Sequence, residues 1–131
     1  MTNTDLRRRF RPLGDLGPSP AVSGYIDAAR AAERVGQRHL ARSHYEEALR
    51  SLTRGDELPT ATTILRWIAG SHFADANHAA AEDCVMAAIA TAEAWGDNLA
   101  VGYAVNMLGM FRWQQGDLDE AVRLYNDARE R

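Results

Sequence analysis

The chain has 131 residues, of which 46% are hydrophobic and 25% are charged, and its formal net charge at pH 7 is −3. This length suits a single globular domain, and the alanine-rich composition favours helices in a soluble protein. A net negative charge gives no general attraction for nucleic acid. The sequence has no apolar run long enough for a membrane helix, no secretory signal, and only one cysteine, Cys84, so an internal disulfide is excluded. We expect a cytoplasmic protein.

Residues 1–20 hold three of the four prolines and show no sustained periodicity, which predicts a flexible basic tail before a domain at residues 21–131. Four arginines surround Phe10, namely Arg7, Arg8, Arg9 and Arg11. Such a cluster can contact phosphate, an anionic lipid surface or an acidic partner, and the alternative is a solvated tail.

Apolar residues at helical spacing predict three helical hairpins after this tail. The first spans about residues 21–52 with its turn at Gly36, the second about 60–95, and the third about 98–131. In the third, Gly116 suits the left-handed backbone that ends a helix. Asp117 suits the cap of the next helix, and Glu120 is placed to reach back and complete a capping box. Gly55 and Asp56 are expected to end the first hairpin.

Small or apolar residues recur in register at steps of 40 residues. The columns comprise the turn residues Gly36, Ala76 and Gly116; the small residues Ala29, Ala69 and Gly109, then Ala41, Ala81 and Ala121, then Ala48, Ala88 and Ala128; and the larger Tyr45, Val85 and Tyr125. A period in this range is typical of a solenoid, in which each unit buries its apolar face against its neighbours. The small columns are expected where helices cross most closely.

This spacing resembles the tetratricopeptide repeat over about residues 22–131, with the closest match around Leu108-Gly109, Gly116-Asp117 and Tyr125. The tryptophan usual early in the first helix is absent, and the period exceeds the usual 34 residues, which we attribute to extended second helices. The resemblance implies an all-α fold of antiparallel hairpins stacked into a right-handed superhelix, an α-solenoid. The repeats would span about 22–55, 60–96 and 98–131.

Patterns for catalysis or metal binding are weak. The four histidines, His39, His44, His72 and His78, show none of the recognised zinc spacings. Ser71, His72 and Asp75 lack an oriented nucleophile and an oxyanion hole. The sequence has no glycine loop for phosphate. We therefore expect no enzyme activity, no cofactor and no metal site.

The resemblance implies that the first helix of each hairpin lines a concave groove. The residues projected into it are Ile26, Arg30, Arg34, Arg66, Trp67, Phe73, Tyr103, Asn106, Met110 and Trp113. These types are enriched at protein interfaces. The alternative is that Trp67, Phe73 and Tyr103 pack between hairpins. The groove lacks the Lys and Asn pattern with which some family members clamp a carboxylate terminus, so we expect an apolar or amphipathic segment with some acidic character.

The functional expectation is a protein-binding scaffold, by analogy the interaction or sensor region of a bacterial regulatory protein. Alternatives are a small chaperone or adaptor, a self-associating module, and, through the arginine-rich tail, a nucleic-acid-associated module, although a nucleic-acid partner is not favoured. The last hairpin carries no polar capping element before Arg131. This favours either a longer protein or a homodimer through that edge, and no membrane partner is expected.

Overall fold

Six α-helices account for all regular secondary structure in the residues that the computed structural model describes, 19–52 and 58–131. In chain order they are α1 (Pro20–Arg34), α2 (Arg38–Arg50), α3 (Leu58–Ala74), α4 (His78–Trp95), α5 (Asn98–Gln114) and α6 (Leu118–Arg129). The prediction of an all-α chain of helical hairpins is confirmed. The arginine cluster at residues 7–11 and the Gly55-Asp56 stop lie outside the described residues.

The chain divides into two compact units, residues 1–60 and residues 61–131, where the composition predicts one domain. Division into units is natural for a repeat chain, because each hairpin packs chiefly against its neighbours in sequence. The first helix begins at Pro20, with the Ser19 hydroxyl accepting a hydrogen bond from the Val22 N–H at 3.4 Å. The helix therefore starts one residue before the expected end of the tail.

The turns that follow α1, α3 and α5 share one hydrogen-bond pattern. In each, a backbone N–H donates to the carbonyl five residues earlier: Gln37 to Ala32 at 2.9 Å, Asn77 to His72 at 2.8 Å, and Asp117 to Arg112 at 2.9 Å. This is the bond of a Schellman motif, which requires a left-handed residue just before the donor. Glycine takes that conformation without steric cost at Gly116, whereas Ala76 takes it at φ 60° with a Cβ in place.

The predicted capping box at the start of α6 is wrong in one half. The Asp117 carboxylate does accept from the Glu120 N–H, at 3.3 Å. The Glu120 carboxylate, however, accepts from the Arg123 guanidinium, with Nε to Oε2 at 2.8 Å. The Asp117 N–H already donates to Arg112, and a charged donor makes the stronger bond, so Glu120 turns towards Arg123.

Extended second helices explain the long period only in part. Helix α4 has 18 residues, but the other two second helices, α2 and α6, have 13 and 12. The first helices α3 and α5 are the longer partners elsewhere, with 17 residues each. The added length is therefore distributed over both helices of a hairpin.

The core of the second unit is built from all four of its helices. Its buried residues are Ala69 of α3, Ala81, Val85 and Ala92 of α4, Val101, Val105, Leu108 and Phe111 of α5, and Leu124 of α6. The small repeat columns lie in the interior: Ala69, Ala81, Ala88 and Ala121 have no exposed surface, and Ala128 is partly buried against the core. Small side chains at these positions allow the helices to approach closely.

The first unit follows the same plan within one hairpin. Ala29, Ala41, Ala48 and Tyr45 have no exposed surface. The Tyr45 hydroxyl donates to Oε1 of Glu33 at 2.7 Å, which joins α2 to α1. Burial, and then the bond to Glu33, raise the pKa of Tyr45 above its ordinary value, since both disfavour the phenolate.

Candidate functional site

The exposed face of α5 carries a stripe of large side chains without charge. Its members, called here the α5 stripe, are Leu99, Tyr103, Asn106, Met110 and Trp113. The four other than Asn106 are between 39% and 62% exposed. Their spacing of alternately four and three residues places them on one side of the helix. The other side is buried in the core through residues such as Val105 and Leu108.

Helix α6 extends this apolar surface. Leu118 and Val122 are about half exposed, at 49% and 51%. Together with the α5 stripe they give the last hairpin a surface of exposed large apolar residues on both of its helices. Clusters of this kind mark interaction sites more often than scattered exposed apolar residues do.

An open cavity of about 430 Å³ lies between α5 and the end of α6. Leu99, Tyr103 and Asn106 line one side, and Tyr125 lines the other. The two charged residues in its lining are both arginines, Arg129 and Arg131. The Leu99 end of the stripe is therefore concave, apolar in its walls and basic at its rim.

Arg66 of α3 reaches the same surface from the opposite side. Its guanidinium carbon lies 5.1 Å from the centre of the Tyr103 ring, which is cation–π geometry. Its Nη2 donates to Oγ1 of Thr63 at 3.5 Å, and its Nε is buried without a hydrogen-bond partner. Burial lowers the pKa of Arg66, while Tyr103 acts in the opposite direction, and the group remains cationic.

Within residues 19–52 and 58–131, no carboxylate pairs with Arg66. The ion pairs there join Arg50 to Glu47, Arg112 to Glu82, Arg123 to Glu120, and Arg131 to Asp127. A half-buried guanidinium with an unsatisfied N–H gains from a carboxylate that approaches from outside. Arg66 can therefore bind an anionic group supplied by a partner.

The structure brings five of the ten predicted groove residues to one surface: Arg66, Tyr103, Asn106, Met110 and Trp113. Trp67 is half-buried. Phe73 takes the role foreseen as the alternative for the aromatic residues, because its ring stacks on Phe111 at 4.2 Å and packs against the core.

The remaining three predicted groove residues lie on α1, in the first unit. Arg30 and Arg34 are exposed, and Ile26 is half-buried. Their membership of a groove shared with the second unit stays a prediction.

Leu99, Leu118 and Val122 are surface residues that the sequence reasoning missed. The projection from the repeat pattern began at Tyr103, although Leu99 continues the same spacing by one helical turn. Counting that spacing in both directions from Asn106 would have found Leu99. Leu118 and Val122 belong to the second helix of the hairpin, which the groove projection did not include.

Two other kinds of site were sought in the described part of the chain. There, no group of three or more His, Cys, Asp or Glu side chains is placed to hold a metal ion. No helix among those residues has the length and hydrophobicity needed to cross a bilayer.

Comparison with known proteins adds one match. A family model described as Tetratricopeptide repeat matches residues 60–131, which is more than half of the chain and includes α5, α6 and Arg66. No curated protein and no solved structure matches the chain. Repeats of this family generally mediate protein–protein interactions, and the family is typically one of non-enzymatic scaffolds.

Proposed function

We propose, because the chain belongs to the tetratricopeptide repeat family, that it is a protein-binding scaffold whose contact surface is the α5 stripe together with Arg66. The observation that carries this proposal is the exposed stripe itself, which has four large apolar side chains and no charge. Tyrosine, tryptophan, methionine and arginine are the types enriched at interfaces. A partner that covers them removes apolar surface from water.

The chemistry of the surface defines the partner segment. The alternate spacing of four and three residues on α5 matches the face that another amphipathic helix presents, so a helix laid along the stripe would fit it. A carboxylate beside the apolar residues of that segment would meet the guanidinium of Arg66. The preferred partner segment is thus amphipathic, with apolar residues along the stripe and an acidic residue near Tyr103.

The wider assignment rests on analogy. We place the chain in the interaction or sensor region of a bacterial regulatory protein, with a basic tail at residues 1–20 and repeats at about 22–55, 60–96 and 98–131, stacked as a right-handed superhelix. A stand-alone chaperone or adaptor is the alternative. The long-period repeats with alanine-rich second helices support the first assignment.

Photo-crosslinking from two methionine positions tests the proposal. A photoreactive residue replaces Met110 on the stripe in one variant and Met86 on α4 in the other; the two methionines are similarly exposed, at 39% and 49%. Incubation with lysate and identification by mass spectrometry should give specific protein adducts from position 110 and few from position 86. Adding Arg66→Gln to the Met110 variant should reduce their yield. Equal labelling from both positions would contradict the proposal.

A further inference from the structure

The α5 stripe is nearly symmetric about Asn106. Leu99 and Trp113 each lie seven residues from Asn106, while Tyr103 and Met110 lie three and four residues from it. At 1.5 Å per residue, a second α5 helix laid antiparallel with its Asn106 opposite the first brings Tyr103 beside Met110 and Leu99 beside Trp113. We propose that this surface is the interface of a symmetric homodimer, in which two α5 helices pack antiparallel across Asn106.

This inference rests on the proposed function, since it uses the same surface and identifies the partner as a second copy of the chain. A two-fold interface requires one patch to be complementary to itself when reversed. The spacing of the stripe meets that requirement, because each large apolar residue meets another large apolar residue. An unrelated partner would need no such symmetry.

Asn106 supplies the polar centre. Its side chain is exposed, and an amide carries both donor and acceptor groups, so two copies of Asn106 can hydrogen-bond to each other across the axis. A single polar residue within an apolar helical seam fixes the register, since any shifted pairing buries the amide against apolar groups.

Charge at the two ends of the hairpin supports the antiparallel direction. The Leu99 end has Arg129 and Arg131 in its cavity lining, and Arg66 beside Tyr103. The opposite end carries the exposed acidic residues Asp117 and Asp119 at the α5–α6 turn. An antiparallel pair places the acidic end of one copy against the basic end of the other, whereas a parallel pair would bring like charges together.

The solution mass tests association. Sedimentation equilibrium of the full chain from about 5 µM to about 500 µM should show reversible dimerisation. The expected dissociation constant is on the order of tens of micromolar, because a helix-on-helix contact is smaller than the roughly 800 Å² per partner of a standard interface. Met110→Glu should weaken the dimer at least about 10-fold by placing a charge in the seam. Met86→Glu on α4 is the matched control and should leave it unchanged.

Disulfide trapping tests the register. In a Cys84→Ala background, which contains no other thiol, Asn106→Cys should form a disulfide-linked dimer on mild oxidation. Tyr103→Cys and Met110→Cys should each fail to cross-link alone, since the antiparallel register separates like positions by about 9 Å along the axis. An equimolar mixture of those two variants should cross-link.

The outcomes separate this inference from the proposed function. A chain that stays monomeric to the highest concentration, or that cross-links through Met110→Cys alone as readily as through Asn106→Cys, overturns the antiparallel homodimer. If such a monomer still gives adducts to other proteins from position 110 and not from position 86, the proposed function stands without the dimer. A monomer with no preference for position 110 overturns both.

Discussion

Replacement of Gly109 by alanine gives the sharpest test of how α5 packs against α6. A Cβ atom at Gly109 would lie 3.0 Å from both Cδ1 and Cε1 of Tyr125 and 3.4 Å from Cβ of Leu124. Carbon atoms in van der Waals contact lie about 3.5 to 4.0 Å apart. The Tyr125 ring would therefore have to move by several tenths of an ångström, in a crossing that already lies at the edge of the core.

Two opposing effects set the size of the change. Alanine is a better helix former than glycine by about 1 kcal/mol, which stabilises the variant. Overpacking against the ring costs about 1 to 3 kcal/mol. We expect Gly109→Ala to lower the free energy of unfolding by up to about 2 kcal/mol. At Gly70 of α3, no heavy atom lies within 4 Å of an added Cβ, so Gly70→Ala should raise it by about 0.5 to 1 kcal/mol.

Urea unfolding of the two variants measures the difference. A double-mutant cycle then isolates the contact, because Tyr125→Ala removes the ring that the new methyl group would meet. In that background Gly109→Ala should become stabilising, as it is at Gly70. If Gly109→Ala alone stabilises the chain as much as Gly70→Ala does, the close approach of α5 to α6 at this point is refuted.

Two further predictions concern the turn after α3 and the buried tyrosine of α2. Ala76→Gly should raise the free energy of unfolding by about 0.5 to 1 kcal/mol, because φ at Ala76 is 60° and glycine relieves the left-handed strain. Ala90→Gly, in the exposed right-handed interior of α4, should lower it by about 1 kcal/mol, and a decrease at both positions would contradict the turn geometry. The pKa of Tyr45 is raised in the folded state above 10.0, so the unfolded chain loses the proton first. Stability should fall as pH rises above 10, more steeply in the wild type than in Tyr45→Phe, which melting temperatures from pH 8 to 11 would show. Parallel pH profiles would mean that Tyr45 ionises equally in both states.

The architecture was predictable because it depends on local backbone requirements that repeat along the chain. The turn column identified Ala76 together with Gly36 and Gly116, although alanine is a poor turn signal by itself. Its register with the other two columns supplied the missing information. The Schellman bonds then follow from the turn conformation, since the N–H that follows the left-handed residue is directed at the carbonyl five residues back.

Details that depend on competition between partners were not predictable. Glu120 has two possible partners within one helical turn, the Asp117 N–H and the Arg123 guanidinium, and the sequence motif names only the first. The structure shows that the Asp117 N–H is already used by the preceding turn. Which bond forms is therefore decided by an atom of the neighbouring helix, α5, which a motif confined to α6 does not consider.

The same limit separates Phe73 from Tyr103 in the candidate site. Both aromatic residues lie on first helices at positions projected into the groove, but Phe73 is stacked between Phe111 and His78, with centroids at 4.2 and 4.6 Å. Tyr103 remains 52% exposed under the guanidinium of Arg66. Helical spacing fixes the face of a residue on its own helix, whereas the partner helices determine whether that face is covered.

A comparison of α4 with α5 makes the case that the α5 stripe is a binding surface. Both are long helices of the same unit and both contribute to one core, yet they differ on their exposed sides. Helix α4 exposes mainly small and charged residues, including Ala90, Asp83 and Glu93, as expected for a face that meets only water. The exposed residues of the α5 stripe contribute little to the core, and charged residues in their place would serve folding equally well. A face of this kind, beside a half-buried guanidinium without a carboxylate in the described chain, is accounted for when a partner covers it.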